Sequence, residues 1–388
     1  MPRPSDVNIL INTVKSDGPG KRGRAAAGHL LRLCVTGIPV DTPLIDEHRA
    51  EGAQLAEYNG CVLPERYSDF DREYRAGKQT VALFDTNWHA ILVLTGRDRV
   101  KYLHAISSNN IQALENGRGT LALLLNPQGH ILAELEAYAF REKLLVLSHA
   151  ALRERTVATL KKYVIGSQVQ IEDQTDRMGS MAVEGPRAAE VIAEVCGASL
   201  TEMPELSVLE TSVDGVPCYL LKRSHFGEPG AEMVAPRENL TALWRKLLAA
   251  VRAREGEPIG MATLNALRLE AGMPWFPVDF NDAQIPQEAA VETTHVSFSK
   301  GCYTGQEIVE RVRSRGHVNR KRVLLKFSTP TPPQSGTKLR AGGVEVGYVT
   351  SAAFSPVAGT AIGMGYVRRE QFAPGSVVEF DGGTATVA

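Results

Sequence analysis

The chain has 388 residues, more than a single hydrophobic core ordinarily serves, so two to three domains are expected. Hydrophobic residues make up 43% and charged residues 22%, a globular balance that excludes disordered, collagen-like and coiled-coil chains. With 43 Lys and Arg against 44 Asp and Glu the formal net charge is -1, so the field that draws general nucleic-acid binders to phosphate is absent and any basic site must be local.

Residues 1–37 carry Arg3, Lys15, Lys21, Arg22, Arg24 and Arg32 against Asp6 and Asp17, around a loop-forming SDGPGKRGR stretch. They are expected to be a dispensable basic extension, disordered or translated upstream sequence, with a transit-type leader as the alternative. From Leu44 the pattern is that of a packed protein. A helix-like stretch opens at 41–48, and ALFDTNWHAILVLTG (82–96) reads as one apolar strand. Val100, Leu103 and Ile106 share a helix face behind Asp98, with SSNN as the stop. LALLLN and ILAELEAYAF (121–140) flank a turn with Pro127 and Gly129, and LLVLS (144–148) adds a third strand, which makes an antiparallel sheet.

Helical periods follow at 151–164 and after Pro186, the latter ended by Gly197. VPCYLLKRS (216–224) alternates as a strand does. Leu240, Leu243, Trp244, Leu247 and Val251 form the clearest amphipathic helix in the chain. THVSFS (294–299) is strand-like. After Arg322 short β runs alternate with turns to the end, a small β-barrel or jelly roll. Without a βαβ rhythm the class is α+β.

Cys34, Cys61, Cys196, Cys218 and Cys302 are odd in number and lack a CxxC pair, which argues against a disulfide framework and a zinc site. A reducing cytoplasm is the expected compartment, and no metal is expected. No apolar run approaches the roughly 18 residues that span a bilayer. Dinucleotide, Walker A, HExxH and nucleophile-elbow motifs are missing. The densest chemical segment is Lys300-Gly301-Cys302-Tyr303-Thr304-Gly305-Gln306-Glu307, a glycine-hinged loop before a helix. A helix start and Lys300 both favour a thiolate, so Cys302 is a candidate reactive thiol and Lys300 its companion, against the alternative of a buried cysteine in a tight turn. The run Arg311, Arg313, Arg315, Arg320, Lys321 and Arg322 is either a solvated helix end or an anion-capturing surface, and without interleaved aromatics it makes a poor RNA platform.

KGCYTGQE resembles the signature of the YgfZ family of folate-binding, iron–sulfur-related proteins, relatives of the glycine-cleavage T-protein (aminomethyltransferase). The wider superfamily is resembled from about Leu44 to the end, through LFDTNWHAILVLTGRDRVKYLHAISSNNI, LNALRLEAGMPWFPVDF and VGYVTSAAFSPVAGTAIGMGYV. The resemblance implies a three-lobed T-protein-like α+β fold: a first lobe at 38–173, a second at 174–318 with the motif, the two interleaving around a folate pocket, and a C-terminal β-barrel at 319–388. It implies tetrahydrofolate or a derivative as cofactor. The family's pterin loop, Gly-Tyr-x-Gly-Glu-x-Gly-x-Glu, is matched by Ser224 to Glu232, so Glu232 would pair with the pterin, with Glu228, His225, Arg268, Tyr303 and Gln306 as further cofactor-binding residues. His225 replaces the family tyrosine, and Leu264 stands where T-proteins have a folate-contact arginine. The family's paired aspartates read Ala133-Glu134. Ala133 is expected to fill the place of the acid used in aminomethyl transfer, with Glu134 turned to the opposite face.

The implied function is folate-dependent support of iron–sulfur cluster assembly or repair, tRNA-modifying enzymes included, with iron–sulfur client proteins as partners and no direct nucleic-acid binding. The alternatives are an aminomethyltransferase of glycine cleavage and a non-catalytic folate-binding scaffold.

Overall fold

The computed structural model describes residues 39–388, so the expectations for 1–37 lie outside the described residues. Among the described residues, three sheets and a closed barrel organise the fold. A five-stranded sheet has the strand order Gly119–Leu125, Ile131–Ala139, Leu144–His149, His89–Thr95, Gln170–Asp173. A six-stranded sheet runs Ser207–Val213, Val216–Lys222, Gly230–Pro236, Met178–Glu184, Ala82–Asp85, Glu257–Pro258. Gln54–Tyr58, Cys61–Arg66 and Val40–Asp41 form a small third sheet.

The apolar alternation decides which face each helix covers. Leu92, Leu94, Ala133, Leu135 and Ala137 of the five-stranded sheet pack under Tyr102, Leu103 and Ile106 of helix Arg99–Ile106 and Leu160 of helix Arg153–Lys162. Met181, Val183, Leu220 and Met233 of the six-stranded sheet pack under helices Ala188–Cys196 and Leu240–Arg252, where Trp244 is fully buried. On their other faces the two sheets meet through Ile91, Tyr138, Leu145 and Leu147 against Val208, Leu221 and Val234. The burial of one such apolar side chain contributes roughly 1.5–3 kcal/mol, so this facing is strongly specified.

Two expected strands come out differently. The run 82–96 is two strands in different sheets, Ala82–Asp85 and His89–Thr95. The chain crosses between them at Thr86–Trp88, where Asn87 donates from its side chain to Asp85 Oδ1 and Ser180 O at 2.7 and 2.9 Å. THVSFS is not a strand: helix Glu292–His295 takes its first two residues, the Ser108 hydroxyl donates to His295 O at 2.6 Å, and the Ser297 N–H goes to Ser108 O rather than to a ladder.

The barrel closes in the order Arg320–Phe327, Thr360–Arg368, Val344–Ser355, Lys338–Ala341, Val377–Phe380, Gly383–Val387 around Leu325, Phe327, Val349 and Val378. It docks on helix Met261–Glu270 through Ala266 and Leu269 against Ala353 and Met364. No helix among the described residues is long and apolar enough to cross a membrane.

Candidate functional site

A cavity of about 700 Å³ lies between the inner face of the five-stranded sheet, the loop that carries Arg223 and His225, helix Met261–Glu270 and the barrel. One row of the five-stranded sheet supplies much of its polar wall. His89 and His149 are cross-strand partners, and Glu134 lies two residues along the register that pairs Glu136 with Leu147. Trp88 and Trp275, with ring centroids 6.1 Å apart, provide aromatic wall, joined by Phe70 and Met261.

The placement of Ala133 and Glu134 corrects the expectation drawn from the sequence. The two side chains do alternate, but with the faces reversed: Ala133 is 1% exposed beneath the helices, and Glu134 and Glu136 line the cavity. The apolar members of the strand follow the helices, which leaves the carboxylates to the other side.

Each carboxylate on that wall has a partner. His295 Nε2 lies 2.8 Å from Glu134 Oε1, while His295 Nδ1 lies 2.7 Å from Thr294 Oγ1. Burial pushes the Glu134 carboxyl up, but the His295 hydrogen bond and the charges of His295, Arg223 and His89 outweigh it, holding the group below the usual carboxylate range. Glu136 accepts from Arg223 Nε at 3.0 Å and from the Tyr138 hydroxyl. His149 is pushed down to about 3 by burial and then by His89, so it is a neutral imidazole.

The loop expected to hold the pterin is built around a carboxylate that the sequence motif does not mention. Fully buried Glu184 accepts the backbone N–H groups of His225, Phe226 and Glu228 at 2.6, 2.9 and 3.2 Å and the Ser224 hydroxyl at 2.8 Å. His225 lies between two carboxylates, with Nδ1 3.5 Å from Glu184 Oε2 and Nε2 3.3 Å from Glu232 Oε2. Burial opposes its protonation, but the two acids raise it to about 9, so it is an imidazolium at neutral pH. Glu232 is fully buried behind the wall, accepting from Thr86 Oγ1 at 3.0 Å and paired with His89 Nδ1 at 2.8 Å. Burial raises its pKa, and His89 and His225 together drive it far below the ordinary range.

Among the other expected site residues only Arg268 joins His225 in lining the cavity, and its guanidinium is committed elsewhere. It pairs with Asp279, donates to Asn265 Oδ1 and Met273 O, and lies 4.7 Å from the Trp275 ring. Glu228 pairs with Lys78 at 2.9 Å, outside the cavity wall. Lys300, Cys302, Tyr303 and Gln306 are also outside it. The Lys300 ammonium, held down at about 8 by burial, donates to the carbonyls of His104, Ser107 and Asn109 and so closes the end of helix Arg99–Ile106. No hydrogen bond among the described residues joins it to Cys302. Tyr303 packs with Ile131, Phe276 and Phe280. Gln306 begins helix Gln306–Arg315. Cys302 is exposed, whereas Cys61, Cys196 and Cys218 are buried. The motif loop instead seats on the turn of the acid-bearing hairpin: Gly305 has φ 83°, and a Cβ there would stand 2.6 Å from Asn126 O.

His149, His295, Glu184, Trp88 and Trp275 thus belong to the site or its support though the sequence did not mark them, and Glu134, expected to turn away, joins them. The alternation of ILAELEAYA carried a signal for Glu134 and Glu136, since two acids among apolar residues need a polar face. The others gave none by pattern, being single residues far apart in sequence.

A mixed α+β fold with a cavity walled by the five-stranded sheet and a closed six-stranded C-terminal barrel defines a T-protein-like protein. The chain belongs to the glycine cleavage T-protein family: residues 44–300 match the GCVT N-terminal domain, and residues 320–387 the glycine cleavage T-protein C-terminal barrel domain. It is 29% identical over 329 residues to an aminomethyltransferase of Rubrobacter xylanophilus, covering 85% of this chain and 87% of that one. It is 30% identical over 339 residues to an aminomethyltransferase of Streptomyces coelicolor, covering 86% and 91%. The crystal structure of the glycine cleavage system aminomethyltransferase T from Bartonella henselae superimposes with a TM-score of 0.82 at 25% identity, over 90% of this chain and 96% of that one. Glycine cleavage T-proteins are tetrahydrofolate-dependent.

Proposed function

We propose that the cavity binds a reduced folate and that the protein is a YgfZ-type member of its family, supporting assembly or repair of iron–sulfur enzymes through the loop that carries Cys302. The cavity is the observation that carries the folate reading. Its volume of about 700 Å³ falls in the range of small-molecule sites, and its two tryptophans suit a flat heterocycle. Glu134 offers an acceptor, and the histidines His149 and His225 differ in charge. A pteridine presents donor and acceptor edges, so these residues fit the group. Trp88, Trp275, Glu134 and His149 would hold it, with Glu232 acting through His89 and His225. When bound, tetrahydrofolate supplies amine nitrogens that carry one-carbon groups. The chain's own part is to orient the ring, exclude water and keep Glu134 ionised.

The iron–sulfur part rests on KGCYTGQE and on the exposure of Cys302, which offers a thiol to a client protein at the surface. A second reading, aminomethyl transfer, is favoured by Glu134: a carboxylate on the cavity wall is what that chemistry needs beside a cationic amine.

Calorimetric titration of the full chain with tetrahydrofolate tests the first part. Saturable binding that quenches tryptophan fluorescence and weakens about tenfold in Trp275→Ala is expected. No binding at millimolar cofactor would remove the folate reading. Two assays separate the roles: restoration of iron–sulfur enzyme activity in a strain lacking its YgfZ protein, lost in Cys302→Ser, supports the first. Folate-dependent ammonia release from aminomethylated carrier protein, lost in Glu134→Ala, supports the second.

A further inference from the structure

His149 ends strand Leu144–His149 and caps the turn Ala150–Leu152 that follows, its Nδ1 accepting the Ala151 backbone N–H at 3.1 Å. A backbone amide has only a hydrogen to offer, so Nδ1 keeps its lone pair and the hydrogen of the neutral ring sits on Nε2. Among the described residues no acceptor takes that hydrogen, and Nε2 is not among the sealed, unpartnered polar atoms of the interior. The residue lines the cavity, which is where Nε2 finds its opening.

Its neighbours in the row are committed. His89 has Nδ1 at 2.8 Å from Glu232, and its Nε2 accepts from Trp88 Nε1 at 3.0 Å. Glu134 is held by His295. The row therefore offers an anionic acceptor and, one strand away, an unclaimed N–H on His149. Burial, with the proximity of His89, outweighs the pull of the Glu134 carboxylate and keeps the ring from taking a second proton through the physiological range, so this pattern does not change with pH there.

We propose that His149 is the ligand's hydrogen-bond donor on this wall, its Nε2–H presented as a fixed tautomer beside the Glu134 acceptor. The pair selects ligands that carry a lone-pair atom, an amine nitrogen or carbonyl oxygen, close to an N–H or a cationic nitrogen. A neutral imidazole donates to such an atom without losing its proton, so it binds and polarises the ligand while Glu134 holds the positive or N–H end. The identity of the ligand rests on the folate reading above. The tautomer and the unclaimed donor are properties of the chain alone.

The test is two-bond ¹H–¹⁵N correlation of the histidine rings in the full chain from pH 5 to 8, assigned with His149→Gln, alone and with tetrahydrofolate. The expected ring shows the Nε2–H tautomer without titration, and its Nε2 resonance moves on cofactor addition. His149→Phe should weaken tetrahydrofolate binding tenfold or more, whereas His149→Gln, which retains a side-chain N–H, should stay within about fivefold of wild type. A hydrogen on Nδ1, a ring that titrates near 6.5, or a complex in which Nε2 does not move overturns the proposal. A fixed Nε2–H ring in a protein that binds no tetrahydrofolate supports the donor and overturns the folate reading alone.

Discussion

Glu134 reaches the cavity from one strand while His295 reaches Glu134 from the helix just before the KGCYTGQE loop, the two meeting at 2.8 Å across 161 positions of sequence. The motif is thereby tied to the cavity through a histidine and a carboxylate rather than through its own thiol. Loss of His295 leaves burial unopposed by that hydrogen bond, so the Glu134 carboxyl moves up. His295→Phe should destabilise the protein by about 1–3 kcal/mol at pH 7. Because the folded-state value of Glu134 lies below the ordinary one, the contribution is present above the usual carboxylate range and fades only as pH falls through the folded value. Urea unfolding of wild type and variant at pH 7, 5 and 3 checks this, with the gap closing only at the lowest pH. A gap that closes already by pH 5 would refute it.

His225 behaves with the opposite sign. Its folded-state value of about 9 lies above the ordinary 6.5, so the ion pairs with Glu184 and Glu232 stabilise fully below about pH 6.5 and are lost as pH rises through 9. The shift corresponds to at most about 3 kcal/mol. Thermal unfolding of wild type should therefore weaken between pH 6.5 and 9 relative to His225→Gln, whose side chain does not titrate. Parallel curves for the two proteins across that window would show that His225 is neutral.

Arg268 and Asp279 form a clamp between helix Met261–Glu270 and the barrel. Asp279 also accepts from Thr350 Oγ1 at 2.6 Å, Ser351 Oγ at 2.5 Å and the Trp275 N–H at 2.9 Å. Both side chains are fully buried. Arg268→Ala leaves a buried carboxylate without its cation and should cost about 3–5 kcal/mol, whereas Arg268→Met with Asp279→Asn should recover part of the loss. Differential scanning calorimetry reads the order of the three proteins. A single variant as stable as wild type would mean that Arg268 serves the ligand and not the fold.

Periodicity made the barrel, the hairpin at 121–140 and helix Leu240–Arg252 readable in sequence, because each has an apolar period that matches its element. It could not say where a single apolar run changes sheets, as at Thr86–Trp88, since both halves are buried and alike. It gave the alternation of Ala133 and Glu134 but not which face meets the helices, because that depends on helices packed from elsewhere in the chain. The family motif pointed to Glu232 and His225, which do stand together. It gave no sign of Glu184 beneath them or of His149 beside Glu134, whose meaning arises only from strand pairing.

The separation of the motif from the cavity makes the final prediction. Cys302 is exposed, while burial pushes the thiols of Cys61 and Cys196 up to about 11 and 12 and raises that of Cys218. A thiolate is the reacting species, so in a protein carrying Cys34→Ser a disulfide reagent at pH 7 should label Cys302 quickly and the other three only on unfolding. Cys302→Ser removes one exposed side chain and should change stability by no more than about 0.5 kcal/mol. Since no part of the cavity wall comes from Cys302, saturating tetrahydrofolate should leave the labelling rate within about twofold. Mass spectrometry of the labelled protein identifies the site. Protection of Cys302 by the cofactor would place the thiol at the ligand and join the two halves of the site that the structure holds apart.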